Sequence, residues 1–218
     1  MNGNNNAIRN TLFRVLFIGD TKVGKSSLVN TYFNMDFDPD IFPSYSCDNF
    51  TKKINFDNRN YTFKIFDMPG QERFRGLTRI YLRNINIIIL IFDMTKKETF
   101  LQLDHFLEVI LENVNINKVS FILVGNKSDL SDNWEIREKT GKKFAEILKA
   151  RFFLSSAKTG AKQFQQFLDD FFENYIRIYN DRINNNNNHN NNNNEPRVIL
   201  LDDREININN NRRSGRCC

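Results

Sequence analysis

The sequence predicts an α/β domain built on a mostly parallel six-stranded sheet, with one antiparallel edge strand and about five flanking helices. Apolar, strand-like runs alternate with segments of helical periodicity, which is typical of a parallel sheet covered by helices. Two of the runs are separated by Asn58-Arg59-Asn60, which predicts a hairpin and hence the antiparallel strand. A complete G-x-x-x-x-G-K-[ST] loop joins the first run to the first helical segment.

The elements follow from the periodicity in chain order. We expect strands at Phe13–Gly19, Asn49–Asp57, Tyr61–Asp67, Ile85–Asp93, Val119–Gly125 and Arg151–Leu154. We expect helices at Lys25–Asn34, Thr99–Asn113, Glu135–Ala150 and Gln163–Tyr179. The last helix carries an aromatic and aliphatic stripe at helical spacing, formed by Phe164, Phe167, Leu168, Phe171, Phe172, Tyr175 and Ile176. Such a stripe predicts a core-facing surface rather than a ligand site.

Composition bounds the domain and its setting. We expect one compact domain at residues 11–179, after a disordered start at residues 1–10 and before a disordered, asparagine-rich tail at residues 180–218. The net charge of +5 is mostly scattered, which argues against a nucleic-acid partner. The polar start does not resemble a secretory signal, and three cysteines do not make a disulfide framework, so we expect a reducing, cytosolic setting.

The loop after the first strand predicts a nucleoside triphosphate held by its phosphates. Backbone N–H groups at a glycine turn and a helix start point at one anion, and the helix dipole favours it. The expected phosphate contacts are Gly19, Asp20, Thr21, Lys22, Val23, Gly24, Lys25, Ser26 and Ser27. Lys25 is expected to reach the β- and γ-phosphates, and Ser26 to bind Mg²⁺. An ordinary helix start is the alternative for these two residues.

A second segment, Asp67-Met68-Pro69-Gly70-Gln71, follows the end of the third strand. Asp67 can hold Mg²⁺, directly or through water. Gly70 offers an N–H group to a γ-phosphate without an obstructing side chain, and Gln71 can orient an attacking water. Taken alone, the segment is equally compatible with a polar turn.

Two further segments select the base. The Asp129 carboxylate, in Asn126-Lys127-Ser128-Asp129, can accept two hydrogen bonds from the guanine edge, whereas adenine has no such pair of donors. A backbone N–H at Ala157, in Ser156-Ala157-Lys158, can donate to the guanine oxygen. The alternative for the first of these segments is a loop rich in helix-capping residues.

These four segments, in this order, resemble a Ras-superfamily small GTPase over roughly Leu12 to Tyr179. Within the superfamily the chain is most similar to Rab proteins, through Gly70-Gln71-Glu72-Arg73-Phe74 and the Cys-Cys ending. The resemblance implies a P-loop NTPase small G domain that cycles between GTP and GDP with Mg²⁺. It also implies slow hydrolysis, accelerated by an activating protein, and a role in vesicle trafficking.

Further roles are carried over by position. Ser44 occupies the place of the switch threonine that binds Mg²⁺ and senses the γ-phosphate. Phe37 matches an aromatic residue that packs on the guanine edge, and a simple hydrophobic anchor is its alternative. The implied guanine contacts also include Asn126, Lys127, Asp129, Ser156, Ala157 and Lys158. The implied effector region is Ile41, Phe42, Pro43, Ser44, Tyr45, Ser46, Cys47, Asp48 and Asn49.

Five residues depart from the Rab pattern. Lys22 stands where Rab proteins usually have glycine, and Ser44 replaces threonine. Met68-Pro69 replaces the usual Thr-Ala, and Phe66 replaces tryptophan. These departures affect the switches and effector choice rather than nucleotide binding. Pro69 and Ser44 leave open an alternative function, a nucleotide-binding scaffold that barely hydrolyses GTP.

The tail resembles a prenylated Rab tail. Cys217 and Cys218 match the Cys-Cys ending that receives two geranylgeranyl groups, and Val198–Leu201 is similar to the short motif that docks on the escort machinery. A vicinal disulfide, a metal pair or random apolar residues are the alternatives. A soluble P-loop phosphotransferase is a second alternative function, which Asp129 and the terminal cysteines disfavour.

The resemblance also implies partners and a location. We expect an exchange factor, an activating protein, an escort protein with its prenyltransferase, a dissociation inhibitor and effectors. We expect a monomer on the cytoplasmic face of a cell membrane or endomembrane, lipid-anchored and with a cytosolic pool.

Overall fold

The computed structural model describes residues 11–40, 47–70 and 79–188, with side chains up to residue 185. Several predictions lie outside the described residues, namely those for residues 1–10, Ile41–Ser46 with Ser44, Gln71, the Val198–Leu201 island, Cys217 and Cys218.

The described elements alternate as the periodicity predicts. In chain order they are β1 (Thr11–Gly19), α1 (Lys25–Tyr32), β2 (Asp48–Phe56), β3 (Arg59–Asp67), β4 (Ile87–Asp93), α2 (Lys97–Leu101), α3 (Leu103–Asn113), β5 (Ser120–Asn126), α4 (Glu138–Leu148), β6 (Arg151–Leu154) and α5 (Ala161–Asn188). Short 3-10 turns occur at Ile116–Lys118 and Ser131–Asn133. The single helix predicted at Thr99–Asn113 is two, separated by Gln102, whose backbone stays in the right-handed region.

The six strands form one sheet in the order β2-β3-β1-β4-β5-β6. All neighbouring strands are parallel except β2 and β3, which confirms the predicted fold class. From β1 the sheet extends to β3 on one side and to β4 on the other. Ligands of open parallel sheets bind beyond the strand ends at such a point of reversal.

Two core layers cover the sheet because its central strands are apolar on both faces. Every residue of β4 is buried, which explains its uninterrupted apolar run. Phe13, Val15 and Phe17 of β1 point to the layer beneath α1 and α5. Leu16 and Ile18, one residue out of phase, point to the layer beneath α3 and α4.

The aromatic stripe of α5 is core, as predicted. Phe164, Leu168, Phe172 and Ile176 have no exposed surface, and the Phe172 ring stacks on Phe63 with centroids 4.2 Å apart. The amide of Gln165 donates to the carbonyl of Thr31, at 2.6 Å. Helix α5 therefore holds the carboxyl end of α1, the helix that follows the phosphate loop.

The hairpin turn differs from its prediction at Asn58-Arg59-Asn60. Strand β3 already begins at Arg59, which pairs with Phe56, so the turn contains Asp57 and Asn58 alone. These two residues have φ of 50° and 59°. Two-residue hairpins favour such left-handed backbone because its twist matches that of the strands, and Asn and Asp tolerate it.

Helix α5 continues past the domain boundary predicted at Tyr179 and ends at Asn188. The Tyr179 ring lies edge-on to Phe13, and the hydroxyl of Tyr61 donates to Asn180 Oδ1 at 2.7 Å. Extending a formed helix costs far less than starting one, so the helix includes the first residues of the asparagine run. Residues 180–188, predicted as disordered tail, are thus helical. None of the helices within residues 11–40, 47–70 and 79–188 is long and apolar enough to cross a membrane.

Candidate functional site

The phosphate loop occupies the predicted place between β1 and α1. Gly24 has φ of 93° and is the N-cap residue of α1, so a side chain there would be strained. A Cβ on Gly24 would also collide with the side-chain amide of Asn126. The first turn of α1 has no side-chain cap and no acidic residue, which leaves its N–H groups for an anion.

Lys22 adopts a left-handed backbone, with φ of 60°. Left-handed geometry costs a residue with a Cβ about 1 kcal/mol relative to glycine. Glycine, the usual residue at this position of Rab proteins, would adopt this left-handed backbone without that cost. This chain keeps the loop conformation at that cost.

Lys25 is almost fully buried, 6% exposed, and its ammonium donates to the carbonyl of Asp20 at 2.7 Å. Burial lowers the pKa of Lys25 to about 8, against the opposing attraction of Asp67 and Asp20. A desolvated ammonium at a helix start is suited to a phosphate, whose charge would compensate the lost hydration.

Asp67, at the end of β3, is 1% exposed. Burial raises its pKa to about 6, while a hydrogen bond with Ser26 and the charge of Lys25 oppose the shift. Its Oδ1 has no hydrogen-bond partner among the described residues. A carboxylate and a hydroxyl side by side, with a free buried oxygen, are hard ligands that fit Mg²⁺.

The described residues contain no group of three or more His, Cys, Asp and Glu side chains that could hold a metal. Mg²⁺ here would therefore depend on phosphate oxygens and water for its other ligands.

Asp67→Asn should change how the stability of the nucleotide-free protein depends on pH. The folded pKa near 6 lies above the ordinary 3.8, so the wild-type free energy of unfolding should fall as pH rises from about 4 to 6. Asparagine does not ionise, so at pH 7.5 the variant should be more stable, by about 3 kcal/mol. Urea unfolding at pH 4.5 and 7.5 in a chelator measures this. The same pH dependence in both proteins would contradict it.

Gly70 packs directly on the phosphate loop. A Cβ there would lie 2.5 Å from the backbone of Asp20 and Thr21, so only glycine permits this approach. The preceding Pro69 is buried. Residues 67–70 therefore reach the loop as the sequence predicts. Gln71 is the next residue along the chain.

Asn126 connects three loops. It is 1% exposed, its amide donates to the Val23 carbonyl at 2.8 Å, and its Oδ1 accepts from the Ala157 N–H at 3.2 Å. The sequence predicts Asn126 as a guanine contact and the Ala157 N–H as a donor to the guanine oxygen. In the structure the two residues bind each other, so Asn126 joins the phosphate loop to both base-binding segments.

Asp129 is exposed at this edge of the sheet. It lies in a turn that the Leu130 N–H closes onto the Lys127 carbonyl at 3.1 Å. The Ser128 N–H donates to the Ser155 carbonyl at 2.9 Å, which joins this turn to the segment after β6. The Asp129 side chain has no hydrogen bond or ion pair with the rest of the described chain, so its carboxylate is available to a base.

Lys127 contacts a residue to which the sequence assigned no role. Its ammonium lies 2.6 Å from Oδ2 of Asp93, the last residue of β4. Asp93 was predicted only as the end of a strand. An acidic residue closing an otherwise apolar run was the available signal, because a buried carboxylate needs a partner.

The segment after β6 is well ordered by its own contacts. Ser156 is buried, and its hydroxyl accepts from the Thr159 N–H at 3.0 Å. Lys158 is exposed. The hydroxyl of the buried Ser155 has no partner among the described residues.

The switch-side predictions are only partly described. Phe37 is exposed, which suits either a base contact or a surface anchor. Asp48 and Asn49 are exposed at the start of β2, whereas Cys47 is half-buried and hydrogen-bonds to Tyr81. Burial raises the pKa of the Cys47 thiol to about 11, so it stays protonated at neutral pH.

A separate groove of about 440 Å³ lies at the other end of β3, between the hairpin and α5. Its lining includes Phe56, Arg59 and Arg177 and none of the predicted nucleotide contacts. The described residues that the sequence predicts as phosphate, metal and base contacts thus follow the carboxyl ends of strands, chiefly β1, β3 and β5, away from this groove.

Comparison with known proteins identifies relatives of one kind. A family model described as the Ras family matches residues 14–177. Ras-related protein Rab-17 of Homo sapiens is 35% identical over 147 residues, which are 67% of this chain and 69% of that protein. Ras-related protein Rab-22A of Homo sapiens is 36% identical over 156 residues, 72% and 80% respectively. Ras-related protein Rab-18-B of Danio rerio is 38% identical over 149 residues, 68% and 72% respectively.

Proposed function

Because this chain belongs to the Ras family of small GTPases, in its Rab branch, we propose that it is a switch whose nucleotide lies beyond the carboxyl ends of β1, β3 and β5. One observation carries this proposal. The buried Lys25 and the buried Asp67, which hydrogen-bonds with Ser26, lie beside the loop that Asn126 joins to the turn containing Asp129. The cation suits phosphate, the carboxylate and hydroxyl pair suits Mg²⁺, and the exposed carboxylate suits guanine, in that order along the site.

The phosphate end is assigned to the loop and its lysine. The N–H groups of the phosphate loop, residues 19–27, would bind the phosphate oxygens, and Lys25 would neutralise the β- and γ-phosphates. Ser26 and Asp67 would hold Mg²⁺, with Ser44 as the ligand that senses the γ-phosphate. Bound Mg²⁺ would supply positive charge that offsets the negative charge of the phosphates.

The base end is assigned to the two segments that follow β5 and β6. Asp129 would accept from the guanine ring N–H and amine, and the Ala157 N–H would turn from Asn126 Oδ1, its partner in the structure, to donate to the guanine oxygen. Lys127 and Phe37 would cover the ring. Adenine, the base of ATP, would leave the Asp129 carboxylate without donors. This difference gives the preference for guanine.

Hydrolysis is assigned to water oriented by Gln71. Gly70, the residue before it, packs against Asp20 and Thr21 of the phosphate loop. The intrinsic rate should be slow, and an activating protein should accelerate it about 10³- to 10⁵-fold. GTP would order the switches and create the effector surface that includes Cys47, Asp48 and Asn49, and hydrolysis would release it. An exchange factor and a dissociation inhibitor would complete the cycle in vesicle trafficking, with the protein acting as a monomer.

Hydrolysis of preloaded GTP in a single turnover tests this function. Wild type should hydrolyse GTP slowly with Mg²⁺, and Gln71→Ala should be slower by about 10²-fold with nucleotide affinity unchanged. ATP should not displace GTP. Equal affinity for ATP, or a Gln71→Ala variant as fast as wild type, would contradict the assignment.

Pro69 is the main support for the scaffold alternative, and Ser44 is the second reason for it. Proline fixes its own φ and biases Met68 toward extended backbone, which restricts the approach of Gln71 to the attacking water. Pro69→Ala should therefore hydrolyse GTP faster in the same assay. If it does not, this alternative loses its main support.

We assign the membrane anchor to Cys217 and Cys218. Two prenyl groups give stable attachment where one gives only weak attachment, and Arg212, Arg213 and Arg216 would add attraction to anionic lipids. Replacing both cysteines with serine should move the protein from the membrane fraction to the cytosol. The intact mass of wild type from cells should include two geranylgeranyl groups. A bare mass with unchanged fractionation of the variant would refute the anchor.

A further inference from the structure

The buried carboxylate of Asp93 lies behind the base-binding turn and reaches no predicted nucleotide contact except Lys127. We propose that Asp93 is a positioning residue for guanine recognition, which fixes through Lys127 the turn that carries Asp129. This inference rests on the proposed function, because it assumes that Asp129 reads the base.

The Asp93 carboxylate is oriented before it meets Lys127. Its Oδ1 accepts from both the N–H and the hydroxyl of Thr95, at 2.9 and 2.7 Å. Its own N–H donates to the Thr99 hydroxyl at 3.0 Å. Thr95 thus holds Oδ1 of the carboxylate by two hydrogen bonds, and Thr99 holds the backbone of Asp93 by a third, which leaves Oδ2 directed at Lys127.

The ion pair between Lys127 and Asp93 is short, and the Asp93 side chain is far more buried than the Lys127 side chain. The Lys127 ammonium lies 2.6 Å from Oδ2, with 31% of the Lys127 side chain exposed and 1% of the Asp93 side chain. A carboxylate without access to water depends on this partner, so the pair constrains Lys127 more than a surface pair would.

Lys127 is the first residue of the turn that carries Asp129. Its backbone is left-handed, with φ of 62°, which is uncommon for a lysine and needs support from its surroundings. Its carbonyl accepts the Leu130 N–H at 3.1 Å, so Ser128 and Asp129 are the central residues of the turn. Moving the Lys127 side chain away from Asp93 would free this backbone and with it the direction of the Asp129 carboxylate.

A positioning role and a merely structural role predict different nucleotide preferences. Inosine diphosphate differs from GDP only in lacking the exocyclic amine, from which Asp129 would accept. If Asp93 places Asp129, its loss reduces affinity for GDP more than for inosine diphosphate. If Asp93 only stabilises the fold, both affinities fall together and their ratio does not change.

The test is displacement of fluorescent GDP from the full chain by unlabelled GDP and by inosine diphosphate. Asp93→Asn keeps an oxygen that accepts from Thr95 but removes the negative charge that faces Lys127. The amide NH₂ of the asparagine can also turn toward the Lys127 ammonium. We expect Asp93→Asn to lower GDP affinity about tenfold, as for the loss of one close ion pair, and to lower the preference for GDP by a similar factor. Lys127→Gln breaks the same pair from its exposed side and should also lower the preference.

Asp132→Asn is the matched control, because Asp132 is an exposed aspartate in the turn that follows the base-binding loop. The preference of Asp132→Asn for GDP over inosine diphosphate should equal that of wild type. An unchanged preference for GDP in Asp93→Asn and Lys127→Gln would overturn the positioning role, and Lys127→Gln decides alone if Asp93→Asn does not fold. A wild type without preference for GDP over inosine diphosphate would instead overturn the role of Asp129 in the proposed function.

Discussion

Asp129→Asn should change the base that the protein binds. Asparagine cannot accept from both guanine donors, so GDP affinity should fall about 10²- to 10³-fold, as for two hydrogen bonds to a charged group. Xanthine carries an oxygen where guanine has the amine, and the asparagine amide can donate to it. Affinity for xanthosine diphosphate should therefore rise. The Asp129 side chain is exposed and has no bond to other described residues, so stability should change little.

Competitive displacement of fluorescent nucleotide measures both affinities. Asp132→Asn again serves as control and should keep the wild-type preference for guanine. A variant of Asp129 that binds GDP as tightly as wild type would show that this carboxylate does not read the base. Parallel loss of both nucleotides would point to damage to the turn instead.

Asn126→Ala should destabilise the protein strongly. The substitution leaves the Val23 carbonyl and the Ala157 N–H without their partner in a buried site, where each unsatisfied group costs about 1–3 kcal/mol. We expect the free energy of unfolding to fall by about 2–5 kcal/mol in the nucleotide-free protein. Nucleotide affinity should fall as well, because the phosphate loop and the base-binding segments lose their common contact.

Urea unfolding without nucleotide separates the two effects. Asn133→Ala is the matched control, since Asn133 is exposed in a short turn near the same loop, and its free energy of unfolding should change by about 0.5 kcal/mol or less. If Asn126→Ala unfolds at the same urea concentration as the control, the contacts of Asn126 are not what joins the loops.

The strands and their order along the chain were predicted well from the sequence because buried strand positions require apolar residues. The run ending at Asp93 is apolar throughout since β4 is buried on both faces. The boundaries were less accurate where long-range contacts decide them. Helix α5 passes the predicted boundary at Tyr179 where Tyr179 and Asn180 contact Phe13 and Tyr61, residues that are distant in the sequence.

The candidate motif residues could also be chosen from the sequence, because phosphate binding needs glycine and lysine at fixed spacing along the chain. Local chemistry alone therefore determined the phosphate loop, the class of nucleotide, the Asp67 and Asp129 candidates and the α/β fold. Only the tertiary structure decided how these parts are joined. Asn126 bridges Val23 and Ala157, and Asp93 pairs with Lys127, across strands that are distant in sequence. The physical reason is that a buried polar group must find a partner, and folding alone determines which one lies within reach.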